Sequence, residues 1–334
     1  MKLRLFHFVK KLFPVLLGVG IITASCNVYE DFEGCPSGFS VQFVYTYNMM
    51  NVDAFAEEVN NVTLFIFDEN GLFVKKQYEE GEALKKEGYR MLVDLEPGTY
   101  QLVTWAGMNE KYFECPDLVP GESVIEDLKV KTVRLDDQTE REKMDALWHS
   151  YSEDVVVKKD VYTHHVASLV KNTNKLRVIL QNTQGKSLRT SEFDFTITAD
   201  NGYMNYDNNL LPDPEITYLP YVLEDQVIGE EPDGLPLTAA VAEMNTMRLM
   251  ENEDYRLLIT RKNDRKIILN VNLNSYLLLT KMEEHDMSPQ EYLDRQDEYT
   301  IIFFLTPSDT AEGGYVCLTV SINGWTIRLN EGEL

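Results

Sequence analysis

Side chains able to do chemistry are few in this chain, and their spacing gives catalysis little to work with. Of the five histidines, His164 and His165 are adjacent. On a strand they point to opposite faces and cannot share one metal ion. His149 and His285 lack a partner at any Cys-x-x-Cys or His-Glu-x-x-His spacing. Gly185-Lys186-Ser187 has the ending of a phosphate-binding loop, but the first glycine of that loop would fall at Leu180 and no helical pattern follows. A Gly-x-Ser-x-Gly elbow is absent. Asp200-Asn201-Gly202 and Asp207-Asn208-Asn209 carry oxygen ligands suited to Ca²⁺ without the closing glutamate of an EF-hand loop, so turn formation is the preferred reading. Among 55 acidic residues a carboxylate pair suited to glycoside hydrolysis can always be found, which gives that signal no specificity. The expectation is a non-enzyme with no metal or cofactor site.

One position has sharply defined chemistry. Lys2, Arg4, Lys10 and Lys11 precede an apolar run from Leu12 to Ile22, and Thr23-Ala24-Ser25 leads into Cys26. That is a secretory signal with a small-residue cleavage site at residues 1–25. It resembles the lipobox of bacterial lipoproteins, whose N-terminal cysteine is acylated after the cut. Cys26 is therefore the expected lipidation site. The apolar run of 11 residues is too short for a membrane span, which needs about 20. Three cysteines remain, so at least one is unpaired. Cys35 and Cys115 each precede a proline, and an oxidising compartment permits a bridge between them. Cys317 lies in a strand pattern and reads as an inert thiol.

The elements that position these residues are strands. The whole chain carries a net charge of −24, and removing the four positive charges of the signal takes it to −28. Such a balance repels nucleic acid and anionic headgroups, so lipid rather than a basic patch would hold the chain at a membrane. The mature length exceeds what one core usually organises, and two domains are expected. Residues 26–37 form an acidic leader. Short strands separated by turn residues then indicate a β-sandwich at 38–162 and a second at 163–334. Asp68-Glu69-Asn70-Gly71 predicts a hairpin between Asn61–Phe67 and Leu72–Tyr78, and Asn323-Gly324 another between the last two strands. Glu96-Pro97-Gly98 is a turn between Tyr89–Leu95 and Thr99–Trp105. Strands are also expected at Ser123–Leu128, Val130–Leu135, Val155–Val161 and Tyr218–Leu223. Leu176–Gln181 and Phe193–Asp200 alternate with a period of two, which gives each one buried face. In the second domain a helical insert is expected at Pro289–Arg295, capped by Ser288 with Glu291 three residues on, and a shorter one within Leu273–Lys281. Trp105, Trp148 and Trp325 read as core or sandwich-edge residues rather than a sugar platform.

Four segments in order carry a family resemblance: Phe67–Phe73, Pro97–Asn109 (Pro-Gly-Thr-Tyr-Gln-Leu-Val-Thr-Trp-Ala-Gly-Met-Asn), Glu291–Gln296 (Glu-Tyr-Leu-Asp-Arg-Gln) and Ile322–Trp325 (Ile-Asn-Gly-Trp). Together they resemble the FimB-like, fimbrillin-associated minor fimbrial anchor proteins of type V pili, over nearly the whole mature chain. The resemblance implies an all-β chain of two tandem transthyretin-like antiparallel sandwiches. It implies an outer-membrane lipoprotein, tethered through acylated Cys26, that roots a fimbria at the cell surface and helps limit its length. Its partners would be stalk subunits, bound through the C-terminal domain. Trp325, Ile327 and Leu329 alternate along the last strand and are the partner-binding candidates, with self-completion of the sandwich the simpler use of that strand. The alternative is a glycan-binding surface lipoprotein, favoured by exposed aromatics and disfavoured by buried ones. A lipid-anchored hydrolase would need a convergent set of groups that the sequence lacks.

Overall fold

The computed structural model describes residues 38–281, 286–308 and 314–328. The signal, Cys26, Cys35 and Leu329 lie outside them. The first half contains β1 (Gly38–Val44), helix α1 (Phe55–Glu58), β2 (Asn61–Asp68), β3 (Phe73–Glu80), β4 (Met91–Val93), β5 (Gly98–Ala106), β6 (Phe113–Glu114), β7 (Lys129–Thr132), β8 (Thr139–Glu140), β9 (Trp148–Val157), β10 (Tyr162–Ser168) and β11 (Val170–Lys171). The second half contains β12 (Thr173–Asn182), β13 (Phe193–Ala199), β14 (Tyr203–Asn205), β15 (Ile216–Tyr218), β16 (Val222–Glu230), β17 (Pro236–Met247), β18 (Arg256–Arg261), β19 (Ile267–Asn272), α2 (Leu273–Leu277), α3 (Pro289–Arg295), β20 (Glu298–Pro307), β21 (Tyr315–Ile322) and β22 (Trp325–Arg328). The all-β class holds, with short helical inserts in the second half. Antiparallel pairing dominates, and among the described residues three pairs are parallel: β1 with β10, β12 with β20, and β15 with β8.

In the first half, the sheet β10-β1-β4 packs on the sheet β11-β9-β5-β2-β3. Phe39, Val41 and Phe43 of β1 meet Val62, Leu64 and Ile66 of β2 and Leu102 of β5 in one core. The other face of β2 and β5 is also dry. Phe65, Phe67, Val103 and Trp105 join a second core with Tyr112, Phe113, Ile125, Leu128 and Met144 from the long segment that follows β5. That segment explains why β2 reads as a nearly unbroken apolar run: both of its faces are covered.

The same segment links the halves. β6 and β7 form a small sheet with β14, and β8 extends the sheet β19-β18-β13-β15. The latter faces the six-stranded sheet β16-β17-β12-β20-β21-β22. Between them lie Leu176, Val178 and Leu180 of β12, Phe193, Phe195 and Ile197 of β13, and Ile301 and Phe303 of β20.

Several sequence expectations shift. Residues 123–128 form a 3₁₀ turn at Ile125–Asp127 rather than a strand. Pro97-Gly98 carries the chain between two sheets, since β4 pairs with β1 and β5 with β2 and β9. The boundary expected near 162 falls between β9 and β10, both of which pair within the first half, and the chain enters the six-stranded sheet only after Asn172. Trp105 and Trp148 are buried, but Trp325 is 54% exposed. Of the two placements expected for it, core or sandwich edge, its position on the outer strand of the six-stranded sheet selects the edge.

Candidate functional site

The two halves meet around α3. Ser288 accepts a hydrogen bond from the Glu291 N–H at 3.1 Å, and Pro289 opens the helix, so local sequence fixes its start. Its last turn then supplies a run of charged contacts. Asp294 receives both Arg248 Nε and Nη2 at 2.7 Å, and Arg248 Nη1 donates to the Asn208 carbonyl at 2.8 Å. Arg295 reaches across the joint. Its guanidinium lies 4.1 Å from the centre of the Tyr47 ring and donates to Asn51 Oδ1 at 3.0 Å, while Nε pairs with Glu291 at 2.7 Å. One residue past the helix, Gln296, the chain reaches Asp297, which holds Lys171 of β11 together with Glu58 of α1. Burial pulls the Lys171 ammonium down, but the two carboxylates more than offset it and its pKa is raised.

A second set of contacts ties the other side. The loop after β14 lays Tyr206 on the first half. Its carbonyl accepts from His149 Nε2 at 2.7 Å, and its ring packs edge-on against Tyr151. Asn172 and Asn208 exchange side-chain hydrogen bonds at the crossing point. Asp213, almost fully buried, is held by Arg134 and by Lys131 at 3.2 Å. The Asp/Asn turns that could have offered oxygen ligands thus have structural tasks. Asn201 Nδ2 donates to the carbonyls of Met247 and Arg248, and its Oδ1 accepts from Tyr218. Ser187 is likewise engaged by β17, through Pro236 and Thr238. His164 meets Ser40 and His165 meets Ser152, on opposite faces of β10. Among the described residues no group of three or more His, Cys, Asp or Glu is placed to hold a metal ion. A cleft of about 800 Å³ opens beside the joint, lined by Tyr45, Met50, Lys171, Lys175, Arg295 and Asp297. Its cations are matched by carboxylates, since Lys175 also pairs with Glu298 at 2.8 Å.

His149 makes the joint sensitive to acid. It is buried against Trp105, and burial lowers its pKa from 6.5 to about 4. A depressed folded-state pKa means the unfolded chain binds the proton first. The stability contributed is fully present above pH 6.5 and is lost as pH falls towards 4. His149→Phe should flatten this part of the stability profile by about 3 kcal/mol, read from urea midpoints between pH 4 and 7. An unchanged slope would remove His149 as the cause.

Of the sequence-derived partner candidates, Trp325 and Ile327 lie on β22, the outer strand of the six-stranded sheet, which pairs with β21 in register Val320–Ile327 and Ile322–Trp325. Ile327 packs back on the core and Trp325 stands in water. Cys115 follows β6, and burial pushes its thiol up to about 11. Cys317 is buried in β21, with its thiol also near 11. Sequence reasoning missed Lys171, Arg248 and Glu58, because long-range charge pairing leaves no local pattern. It also ended a strand at Leu223 and missed the rest of β16, whose carboxylates and Gly229 break the alternation that marks a strand.

Comparison with known proteins places this architecture. The family model of fimbrillin-A associated anchor proteins Mfa1 and Mfa2 matches residues 32–331. The chain belongs to this anchor family. The minor fimbrium anchoring subunit Mfa2 of Porphyromonas gingivalis is 21% identical over 329 residues, 96% of this chain and 95% of that one. Its structural counterpart, the fimbrial anchor protein Mfa2, superposes with a TM-score of 0.68 at 20% identity over 88% of this chain and 99% of its own, a likeness of fold. A protein from Bacteroides thetaiotaomicron solved as a candidate polysaccharide-binding protein gives a TM-score of 0.80 at 35% identity over 90% of this chain and all of its own. The family is one of fimbrial anchor and adhesin-type structural proteins, associated with fimbriae in the cell envelope. No helix among the described residues is long and apolar enough to cross a membrane.

Proposed function

We propose that this anchor-family chain is an outer-membrane lipoprotein, acylated at Cys26, that roots a fimbria at the cell surface and helps limit its length. The family match over residues 32–331, directly behind a lipobox-like Cys26, carries the reading. The joint supports it: a tether at one end and a fimbria at the other put load across the halves, and the Arg248–Asp294, Arg295–Tyr47 and Lys171–Asp297 contacts cross or brace that joint. Stalk subunits bind through the second half, which the whole first half separates from the lipid.

Cys26→Ala tests the tether and the anchor together. Metabolic fatty-acid labelling of the protein should vanish, and full-length fimbriae should appear in the culture medium. Persistent labelling would refute acylation at Cys26. Lost labelling with normally attached fimbriae would refute the anchoring role.

The rival glycan-binding reading has two observations in its favour, the exposed indole of Trp325 and the 35% identical Bacteroides thetaiotaomicron protein solved as a candidate polysaccharide-binding protein. The other two tryptophans are buried. Binding on a glycan array that Trp325→Ala abolishes would support it over the anchor.

A further inference from the structure

β1 is the first strand of the first sandwich, and the direction of its neighbour sets how it responds to tension. It starts at Gly38, opposite Tyr162, and ends at Val44, opposite Ser168. β10 runs beside it in the same direction through seven consecutive pairs, without a register shift. Beyond Ser168 the chain passes through β11, where Lys171 is held by Asp297 at the joint, and enters β12. The joint also lies off the Val44 end of β1, where Tyr47 and Asn51 of the following loop meet Arg295. β1 therefore points from the leader towards the second half, over a length of about 20 Å.

The parallel direction has a mechanical consequence. A load that enters at Gly38 and leaves through the second half pulls β1 by its N-terminal end and β10 by its C-terminal end. In a parallel pair these are opposite ends, so the strands are drawn past each other and their hydrogen bonds are strained together. An antiparallel β10 would bring both loaded ends to one place, and the bonds would open one at a time. Two further features resist sliding. β4 pairs with the other side of β1 at Phe39, Ser40 and Val41. Phe39, Val41 and Phe43, each at most 2% exposed, are keyed into the core against β2 and β5. The second half repeats the plan. β12 enters at the joint and lies parallel to β20 through eight pairs, from Lys175–Glu298 to Asn182–Leu305, again without a shift. The remaining parallel pair among the described residues, β15 with β8, is only two residues long. Long parallel pairing is thus confined to the strand by which the chain enters each half.

We propose that β1 and β10 form a shear clamp, which keeps the first half folded while tension passes from a tether at Cys26 to a fimbria held by the second half. β12 and β20 are its counterpart beyond the joint. This rests on the anchoring reading above and states what the fold contributes to it. Forced unfolding is governed by the unfolding rate under load rather than by equilibrium stability, so the clamp is a property of pulling direction. The same bonds that hold against a pull along β1 yield readily when β1 is peeled away from one end.

Single-molecule force spectroscopy on the full, unlipidated mature chain tests this with no fimbrial component present. Handles at Cys26 and Leu334 load β1 and β10 from opposite ends. Handles at Cys26 and Val161, a position 47% exposed in the turn just before β10, load them from the same end. The folded chain is the same in both cases, so a difference in force reports direction alone. A handle at Lys159 in the same turn repeats the second geometry and guards against a local effect at Val161, and thermal melts confirm that each labelled chain folds. Opening of the first half is recognised by the contour length it releases. Its rupture force at one loading rate should be at least about twofold higher with handles at Cys26 and Leu334. Equal forces in the two geometries overturn the clamp and leave the anchoring reading standing, since fatty-acid labelling and shed fimbriae test that reading separately. Fimbriae that stay attached in Cys26→Ala would remove the load, and with it the proposal, whatever the forces.

Discussion

Asp294→Ala should cost about 3–5 kcal/mol of stability, one of the two largest losses expected from a point change in this chain. The carboxylate is buried and takes both nitrogens of the Arg248 fork, and Oδ1 also accepts from Gln290 Nε2 at 3.0 Å. Truncation leaves Arg248, itself nearly buried, with only the Asn208 carbonyl. An uncompensated buried guanidinium is the source of the loss, more than the missing attraction. Two further variants separate these terms. Asp294→Asn keeps the volume and an acceptor and should fall between wild type and Ala. Arg248→Met combined with Asp294→Leu removes both charges and should recover most of the stability, since paired burial is itself costly. Urea midpoints at constant m-value read all three. A double variant no better than Asp294→Ala would show that α3 depends on the charges themselves. Arg295→Ala, which removes a side chain only 16% exposed but paired with a part-exposed Glu291 and laid on the Tyr47 ring, should lose less, about 1–2 kcal/mol.

The contrast between Asp294 and its neighbours shows what was legible in the sequence. Local signals were. Ser288-Pro289 with Glu291 fixes α3 to the residue, and Asn323-Gly324 sits with both φ positive, at 49° and 87°, in a two-residue hairpin turn. The period-two runs of β12 and β13 bury alternate residues as written. What failed depends on neighbours far away in the chain. Trp325 reads as core or sandwich edge, and only the strand order decides for the edge, since it lies on the last paired strand with nothing beyond it among the described residues. The strand expected at Tyr218–Leu223 divides into the end of β15 and the start of β16, and the rest of β16 escapes notice because its carboxylates and Gly229 break the apolar alternation. The long segment after β5 reads as loose strands, and its function as a second cover for β2 and β5 follows only from the three-dimensional path. Charge partners such as Lys171 with Asp297 lie more than a hundred residues apart, where composition has no reach.

The same distinction governs the two glycines of the Pro97–Asn109 segment, which looks like one motif and contains two different constraints. Gly107→Ala should destabilise the chain by about 4 kcal/mol or more, enough to leave it insoluble. The residue sits at φ 77°, which an L side chain adopts only with strain. A Cβ there would fall 2.0 Å from the Ala146 carbonyl oxygen and 3.0 Å from the Trp148 ring. Neither can yield cheaply. Ala146 leads directly into β9, and Trp148 is buried in the first core beneath the Lys171 ammonium. Relief would therefore shift the start of β9 and, through it, the pairing with β5 and β11 at the joint. Gly98→Ala is the matched control. Its φ lies outside the left-handed region, and its Cβ would meet only the ring of Tyr100, two residues on, at 3.4 Å, an ordinary contact. It should change stability by less than about 1 kcal/mol. Soluble yield and thermal midpoints of the two variants, expressed side by side, decide the matter. Equal behaviour would mean that the segment from Ala146 to Trp148 can move without disturbing the joint, and the account of a braced connection between the halves would have to be given up.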